Sequence, residues 1–280
     1  TRLEELNLRV NSISVLTPLS SLTWLKKLDI GSNSVTDVSA LSSMTGLTTL
    51  DLSSNAISDF GPITSLPNLA TLTVSDNGIT TLSAFSGMTN LVYFKADANT
   101  LSDFSAVGTM TNLNVLLLQG CGITDVSSLS SITSVSYLYL RDNSITDISA
   151  LSSLTGLRLL DIHDNSITDF SPLSGLTNLG TLDIGGMSLT SIPTAVAGLT
   201  QLVSLKLEDN SISDISALEF FTEIYSFYLS DNSITDLQPL VNNPGLGTGN
   251  VVDVENNPLS TTSIDTYIPA LEARGVSVSQ

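Results

Sequence analysis

The chain has little of what catalysis and membrane insertion usually require. Its 280 residues include one cysteine (Cys121), one histidine (His163) and one tryptophan. A single cysteine permits neither an internal disulfide nor a cysteine-based zinc site. Nucleophilic catalysis needs a nucleophile beside a base that a third group orients, and this inventory does not supply the set, so no catalytic residues are expected. Basic residues are also scarce, 9 against 27 acidic ones, for a formal net charge of −18. Such a field repels duplex nucleic acid and anionic lipid, so neither is expected as a partner. No run of about 18 apolar residues exists, so no span of a membrane is expected. The opening TRLEELNLRV lacks the apolar h-region of a signal peptide. Asn-x-Ser/Thr sequons are absent too.

What the chain does contain is repetition. Asparagines stand at Asn11, Asn33, Asn55, Asn77 and Asn99, each 22 residues after the last. Cys121 takes the next slot, Asn143 and Asn165 follow, and Met187 takes the ninth. Spacing then stretches to 23 for Asn210, returns to 22 for Asn232 and reaches 25 for Asn257. Each slot belongs to the pattern L-x-x-L-x-L-x-x-N-x-L, as in Leu25, Leu28, Ile30, Asn33 and Val35. In L-x-L the apolar side chains point one way and the middle residue the other, so each repeat predicts one short strand with its leucines inward. One repeat cannot bury that face alone, whereas stacked repeats share a continuous core. The amide at the slot is placed to satisfy backbone groups of adjacent turns. Cys121 can replace it with a weak S–H donor; Met187 cannot donate, and a local irregularity is expected there.

This pattern resembles leucine-rich repeat proteins. The longer unit NSITDISALSSLTGLRLLDIHDN is similar to the 22-residue repeats of the bacterial internalin-like family, and NPLSTTSIDTYIPALEARGVSV resembles C-terminal caps of bacterial leucine-rich repeat proteins. The expected fold is an α/β solenoid: a right-handed curved coil with a parallel β-sheet on the concave face and short 3₁₀ or helical turns on the convex face. Residues 1–259 are expected to form about twelve repeats with no N-terminal cap visible, and residues 260–280 a C-terminal capping helix and tail. A neighbour or an upstream segment is expected to cover the N-terminal edge. Helical spacing of Ile264, Ile268 and Leu271 predicts the capping face, with Pro269 shortening or kinking the helix. Four residues past the slot runs a column of aspartates, Asp37, Asp59, Asp103, Asp125, Asp147, Asp169, Asp214 and Asp236, placed to cap each convex turn. The resemblance further implies a secreted or surface-attached bacterial adhesin. The same 22-residue repeat occurs in intracellular phosphatase regulators, which leaves a cytoplasmic location as the alternative.

Three outward columns line the strands, six, four and two residues before the slot. In the first four repeats they are small and polar. From the fifth to the eighth they carry Tyr93, Val115, Tyr137 and Leu159 in the first column and Lys95, Leu117 and Tyr139 in the second. Asp97, Gln119, Arg141 and His163 rim them in the third. An apolar-aromatic patch with a polar edge is the composition of a binding centre. Tyr93, Lys95, Val115, Leu117, Tyr137, Tyr139, Arg141, Leu159 and His163 are therefore the predicted contacts for a protein partner, with a glycan as the alternative ligand. Stacked carboxylate pairs, Asp29 with Asp51 and Asp161 with Asp183, are expected from chance in so acidic a chain, and no metal or cofactor is expected. The rival reading is a structural spacer or assembly unit that uses the uncapped N-terminal edge.

Overall fold

The chain is described here by a computed structural model that covers residues 2–280. It divides into two compact units, Thr1–Asn143 and Ser144–Gln280. In the first, seven strands of three residues each run parallel in chain order: β1 (Glu5–Asn7), β2 (Lys27–Asp29), β3 (Thr49–Asp51), β4 (Thr71–Thr73), β5 (Tyr93–Lys95), β6 (Val115–Leu117) and β7 (Tyr137–Tyr139). The second continues with β8 (Leu159–Asp161), β9 (Thr181–Asp183), β10 (Ser204–Lys206), β11 (Ser226–Tyr228), β12 (Val251–Asp253) and β13 (Ser277–Ser279), again parallel and in order. This is the leucine-rich repeat solenoid fold that the L-x-L pattern predicts.

Register follows the repeat. Leu28 lies beside Leu50, Leu50 beside Leu72, and Leu72 beside Phe94, all fully or almost fully buried. Between strands the chain turns back through short 3₁₀ segments, such as Ser39–Leu41 and Ser149–Ser153. Single α turns occur at α1 (Gly61–Thr64), α2 (Thr194–Ala197) and α3 (Gln238–Asn242). Leucines of these turns, among them Leu41, Leu129 and Leu173, close the core from the side opposite the sheet. Phe60, Phe85 and Phe94 fill one wider stretch, with ring centroids 5.2 and 5.4 Å apart in sequence.

From Asn33 onward, slot asparagines tie two coils together, whereas the Asn11 side chain bonds Leu8 O and Arg9 O of its own coil. The Nδ2 group of Asn33 donates to Leu8 O (3.0 Å) in the preceding coil and to Ile30 O (2.9 Å) in its own, while Oδ1 accepts the Ile13 N–H (2.9 Å). Asn55, Asn77, Asn99 and Asn143 repeat the arrangement. The residue before the slot sits in the left-handed region, at φ 55° for Ser32, 58° for Asp142 and 50° for Asp164, which turns the backbone so that the amide points inward. Cys121 occupies its slot as expected: its thiol reaches Ala96 O (3.3 Å) and Gln119 O (3.4 Å). With no amide oxygen there, the Leu101 N–H bonds the Cys121 backbone carbonyl instead. Met187 offers no side-chain bond of this kind. The coil that follows is one residue longer and replaces the 3₁₀ turn with α2.

Two expectations are corrected. The column aspartates lie one residue outside the N-cap, and each Oδ1 accepts the N–H two residues on, as in Asp37 to Ser39 (2.8 Å) and Asp169 to Ser171 (2.8 Å). That backbone hydrogen bond, with help from the serine hydroxyl, holds the carboxyls of Asp37, Asp103, Asp125, Asp169 and Asp214 below their ordinary value. Near the C-terminus, Ile264 is 44% exposed rather than packed inward. A π turn at Ser263–Tyr267 precedes α4 (Ile268–Ala273). The wider π register aligns Ser263, five residues before Ile268, with the buried face, and Pro269 supplies no N–H to a tighter ladder. Arg274 then donates to the carbonyls of Val241, Asn243 and Leu246, and the tail adds strand β13 beside β12.

Asn55→Ala strips donors from Ile30 O and Leu52 O and leaves the Val35 N–H without its acceptor. It is expected to destabilise the protein by roughly 2–4 kcal/mol, against roughly 0.5 kcal/mol for Ala at exposed Asp59, at the low end of cap losses. Urea unfolding of both variants checks the contrast.

Candidate functional site on the strand face

In the first unit the predicted patch is assembled by strand register. Tyr93 lies beside Val115 and Val115 beside Tyr137; Lys95 lies beside Leu117 and Leu117 beside Tyr139. All are half-buried except Tyr137, which is 36% exposed and stands furthest into solvent. Burial pushes the Tyr93 phenol above its ordinary value; Lys95 opposes the shift, and Asp97, Tyr139 and Asp51 add to it. Lys95 Nζ pairs with Asp97 (3.3 Å), whose Oδ1 also accepts the Gln119 N–H (2.8 Å). Arg141 Nε meets Asp142 (3.2 Å). Three strands thus bring Tyr93, Val115, Leu117, Tyr137 and Tyr139 into one surface, with Lys95 and Arg141 at its edge.

The N-terminal coils of the same unit carry a feature the column reading missed. Arg9 lies across two strands: its Nη1 donates to Asp51 Oδ2 (3.0 Å) and Ser53 Oγ (3.3 Å) and is 3.8 Å from Asp29. Gly31 makes room for it, because a Cβ there would collide with the guanidinium. The expected Asp29–Asp51 pairing is present in the register, with this cation between the carboxylates. A glycine next to a long polar residue in one column was the available signal.

Leu159 and His163 belong to the second unit. Leu159 is half-buried on β8, beside Thr181. His163 is only 6% exposed and lies over Gly185, where it leaves no space for a Cβ; at Gly186 the Asp164 carboxylate fills that space. Its Nδ1 is 3.1 Å from Asp183 Oδ1 and its Nε2 is 3.3 Å from Asp164 Oδ2. Asp183 is 5% exposed, accepts the Gly185 N–H (3.2 Å) and has Lys206 Nζ at 3.5 Å. Burial alone would raise the Asp183 carboxyl; the hydrogen bonds from His163 and Gly185 and the charges of His163 and Lys206 outweigh it and hold the group low. Glu208 closes the cluster. Burial, with the Asp183 charge adding, pushes its carboxyl up to about 6 against the opposing Lys206 and His163, and its Oε2 has no hydrogen-bond partner.

These groups bind each other more than they face solvent. The imidazole is closed off by glycine backbone and two carboxylates, and burial pushes the Cys121 thiol up to about 11, which keeps it protonated at neutral pH. Among the described residues, no group of three or more His, Cys, Asp or Glu side chains is arranged to hold a metal ion.

Glu208 gives a pH signature. Its folded value lies above the ordinary 4.5, so the neutral carboxyl contributes stability at low pH that is lost as pH rises through about 4.5 to 6. Glu208→Gln keeps the shape without the charge. It is expected to exceed the parent by about 1 kcal/mol at pH 7.5, after allowance for solvent screening, and to match it at pH 4. Urea midpoints of the two proteins at both pH values decide it; a difference that ignores pH rejects the assignment.

Comparison with known proteins places this geometry. A family model for leucine-rich repeats (two copies) matches residues 1–43, 45–87, 111–153 and 133–175, together just over half the chain. No curated protein sequence matches. Among solved structures, an internalin (InlF) of Listeria monocytogenes is 33% identical, with a TM-score of 0.87 over 99% of this chain and 80% of that one. A leucine-rich repeat protein of Leptospira interrogans aligns at 19% identity and TM-score 0.81, covering 99% of this chain and 84% of its own. The ectodomain of an Arabidopsis thaliana membrane receptor kinase, in complex with Casparian strip integrity factor 2, aligns at 22% identity and TM-score 0.61, covering 91% of this chain and 39% of that one. Identity this low in the last two shows the shared fold alone. Repeat pattern, coil geometry and the internalin match agree: the chain belongs to the leucine-rich repeat proteins and is of the bacterial internalin-like type.

Proposed function

We propose that the chain is a non-catalytic recognition module that binds a protein partner through the strand face of β5–β7. The observation that carries this reading is the surface made by Tyr93, Val115, Leu117, Tyr137 and Tyr139, rimmed by Lys95 and Arg141. The core does not need these side chains, since Phe94, Leu116 and Leu138 already fill the inner face. Tyrosine is also among the residues that most often dominate binding energy at interfaces. By sequence position Leu159 and His163 extend the same columns, Leu159 as apolar surface and His163 by holding its strand end in place. The plant ectodomain of this fold is solved in complex with Casparian strip integrity factor 2, which supports a recognition role. Internalin likeness favours an extracellular or cell-surface setting and an adhesin-type role, and residues 260–280 are read as the cap of a solenoid spanning residues 1–259. No helix among the described residues is long and apolar enough to cross a membrane.

The double variant Tyr137→Ala/Tyr139→Ala tests the reading. Screened against immobilised extracellular protein domains, the parent is expected to bind at least one, and the variant to lose about tenfold or more in affinity. Circular dichroism must show both to be folded. Equal binding by parent and variant rejects the patch.

A second reading has its own observation. Leu3, Val10 and Val15 of the first coil are exposed at 48%, 73% and 61%, which favours an assembly or spacer role through that edge. Sedimentation at rising concentration is expected to show association that Val10→Lys abolishes; a monomer at all concentrations rejects it.

A further inference from the structure

Beside the patch, on the strand face of β1–β5, the first unit holds a depression of about 320 Å³. It is lined by Arg9, Asp51, Ser53, Thr73, Ser75, Tyr93 and Lys95. Its volume lies at the lower end of small-ligand sites. Its floor is unusual in one respect. Ser75 is 8% exposed, and its hydroxyl is both buried and without a hydrogen-bond partner. One coil earlier, Ser53 donates to the carboxylate of Asp51 two residues before it (2.6 Å). Thr73 stands in that place before Ser75, so no carboxylate there accepts from the Ser75 hydroxyl, and this lining residue keeps a buried oxygen without a partner. A buried unsatisfied hydroxyl costs stability, and a bound ligand that pairs with it recovers that cost.

The walls define the ligand chemistry. Arg9, seated over Gly31, offers N–H donors from one side, and Lys95 offers an ammonium from the other. Asp51 is an acceptor, Ser53, Thr73 and Ser75 both donate and accept, and half-buried Tyr93 presents an aromatic ring with a hydroxyl. Formal charge nearly cancels: Arg9 and Lys95 are each already paired, with Asp51 and Asp97, and Asp29 stands near Arg9. A polyanion therefore gains little here, and the chain's net charge of −18 opposes it further. A compact molecule whose many hydroxyls each donate and accept, and which has an apolar C–H face to lay on an aromatic ring, fits this set of groups.

We propose that this depression is a binding site for one neutral sugar residue, a hexose either free or at the end of a glycan. Arg9, Lys95, Asp51 and Ser75 hydrogen-bond its hydroxyls and Tyr93 takes its C–H face. The site shares Tyr93 and Lys95 with the protein-binding patch, but Arg9, Asp51 and Ser75 lie outside it, so the two readings fail separately.

Ligand-observed NMR and calorimetry with methyl glycosides of glucose, galactose and mannose, with glucuronic acid as the acidic counterpart, test the proposal. An array of neutral oligosaccharides separates terminal from free sugar. The parent is expected to saturate with at least one neutral hexoside. Asp51→Ala should weaken that binding about tenfold or more and Ser75→Ala several-fold, as expected for lost polar contacts in a pocket. Tyr137→Ala should leave it unchanged, which separates this site from the protein-binding patch. Ser75→Ala removes an unsatisfied group, so it is also expected to unfold no earlier in urea than the parent. The proposal is overturned by any of three results: no saturable binding of a neutral sugar, binding that Asp51→Ala and Ser75→Ala both leave intact in folded protein, or binding of the acidic sugar alone.

Discussion

Everything in this molecule depends on the side-chain amide at the repeat slot. A coil of 22 residues with a three-residue strand leaves most of its backbone polar groups outside any sheet ladder, and stacking buries them. The slot asparagine resolves this in one place. Its Nδ2 takes carbonyls from its own turn and from the coil before, and its Oδ1 takes an N–H from the coil before. The left-handed residue ahead of it, Ser32, Ser54 or Asp76 in successive coils, aims the amide inward. Leucines supply the burial, but the amide fixes the pitch at which they stack.

Once the interior is defined in this way, the outward strand positions are released from structural duty. Register sets residues 22 apart in sequence about 4.8 Å apart in space, so a surface forms from side chains that no local motif connects. The chain uses this in different ways. At β5–β7 it spreads apolar and aromatic groups over the face. At Arg9 and again at His163 it lays a long polar side chain across a glycine in the neighbouring coil and surrounds it with carboxylates. Each cluster keeps one buried oxygen without a partner, the Ser75 hydroxyl near the first and Glu208 Oε2 beside the second.

The fold was legible because its rule is periodic. Leu25, Leu28 and Ile30 announce an inward strand, Asn33 the turn after it, and both recur often enough to identify the architecture. Cys121 and Met187 could be read as a weak and a failed substitute from their donor chemistry. Where periodicity lapses, reading was poorer. Ile264 looked inward on an α-helical count, but Pro269 and a π turn shift the buried face to Ser263. The strand at Ser277–Ser279 follows no repeat, so no periodic signal marks it. On the strand face, column alignment placed Tyr93, Val115 and Tyr137 side by side. It did not convey that Arg9 would reach two strands away or that His163 would be enclosed. Those outcomes depend on side-chain length and on the glycines at 31 and 185, which a column of single residues does not weigh.

The ladder also bears on how the protein ages. Asparagine followed by serine or glycine is the sequence in which deamidation proceeds most readily, through attack of the next backbone nitrogen on the side-chain carbonyl. Here Asn33, Asn165, Asn210 and Asn232 all precede serine. In each, the amide is clamped to carbonyls around it, and the would-be attacking nitrogen of Ser34, Ser166, Ser211 or Ser233 is itself bonded to the preceding coil at 2.8–3.0 Å. Both reactants are held out of the ring-closing geometry. Asn77 is held less firmly: its Oδ1 is 3.2 Å from the Ile57 N–H, and the next residue is Gly78, whose missing side chain offers no hindrance. In a chain that repeats one chemically fragile dipeptide coil after coil, the bond pattern that shapes each turn also sets its chemical lifetime, and that protection is thinner at Asn77–Gly78 than at these four serine steps.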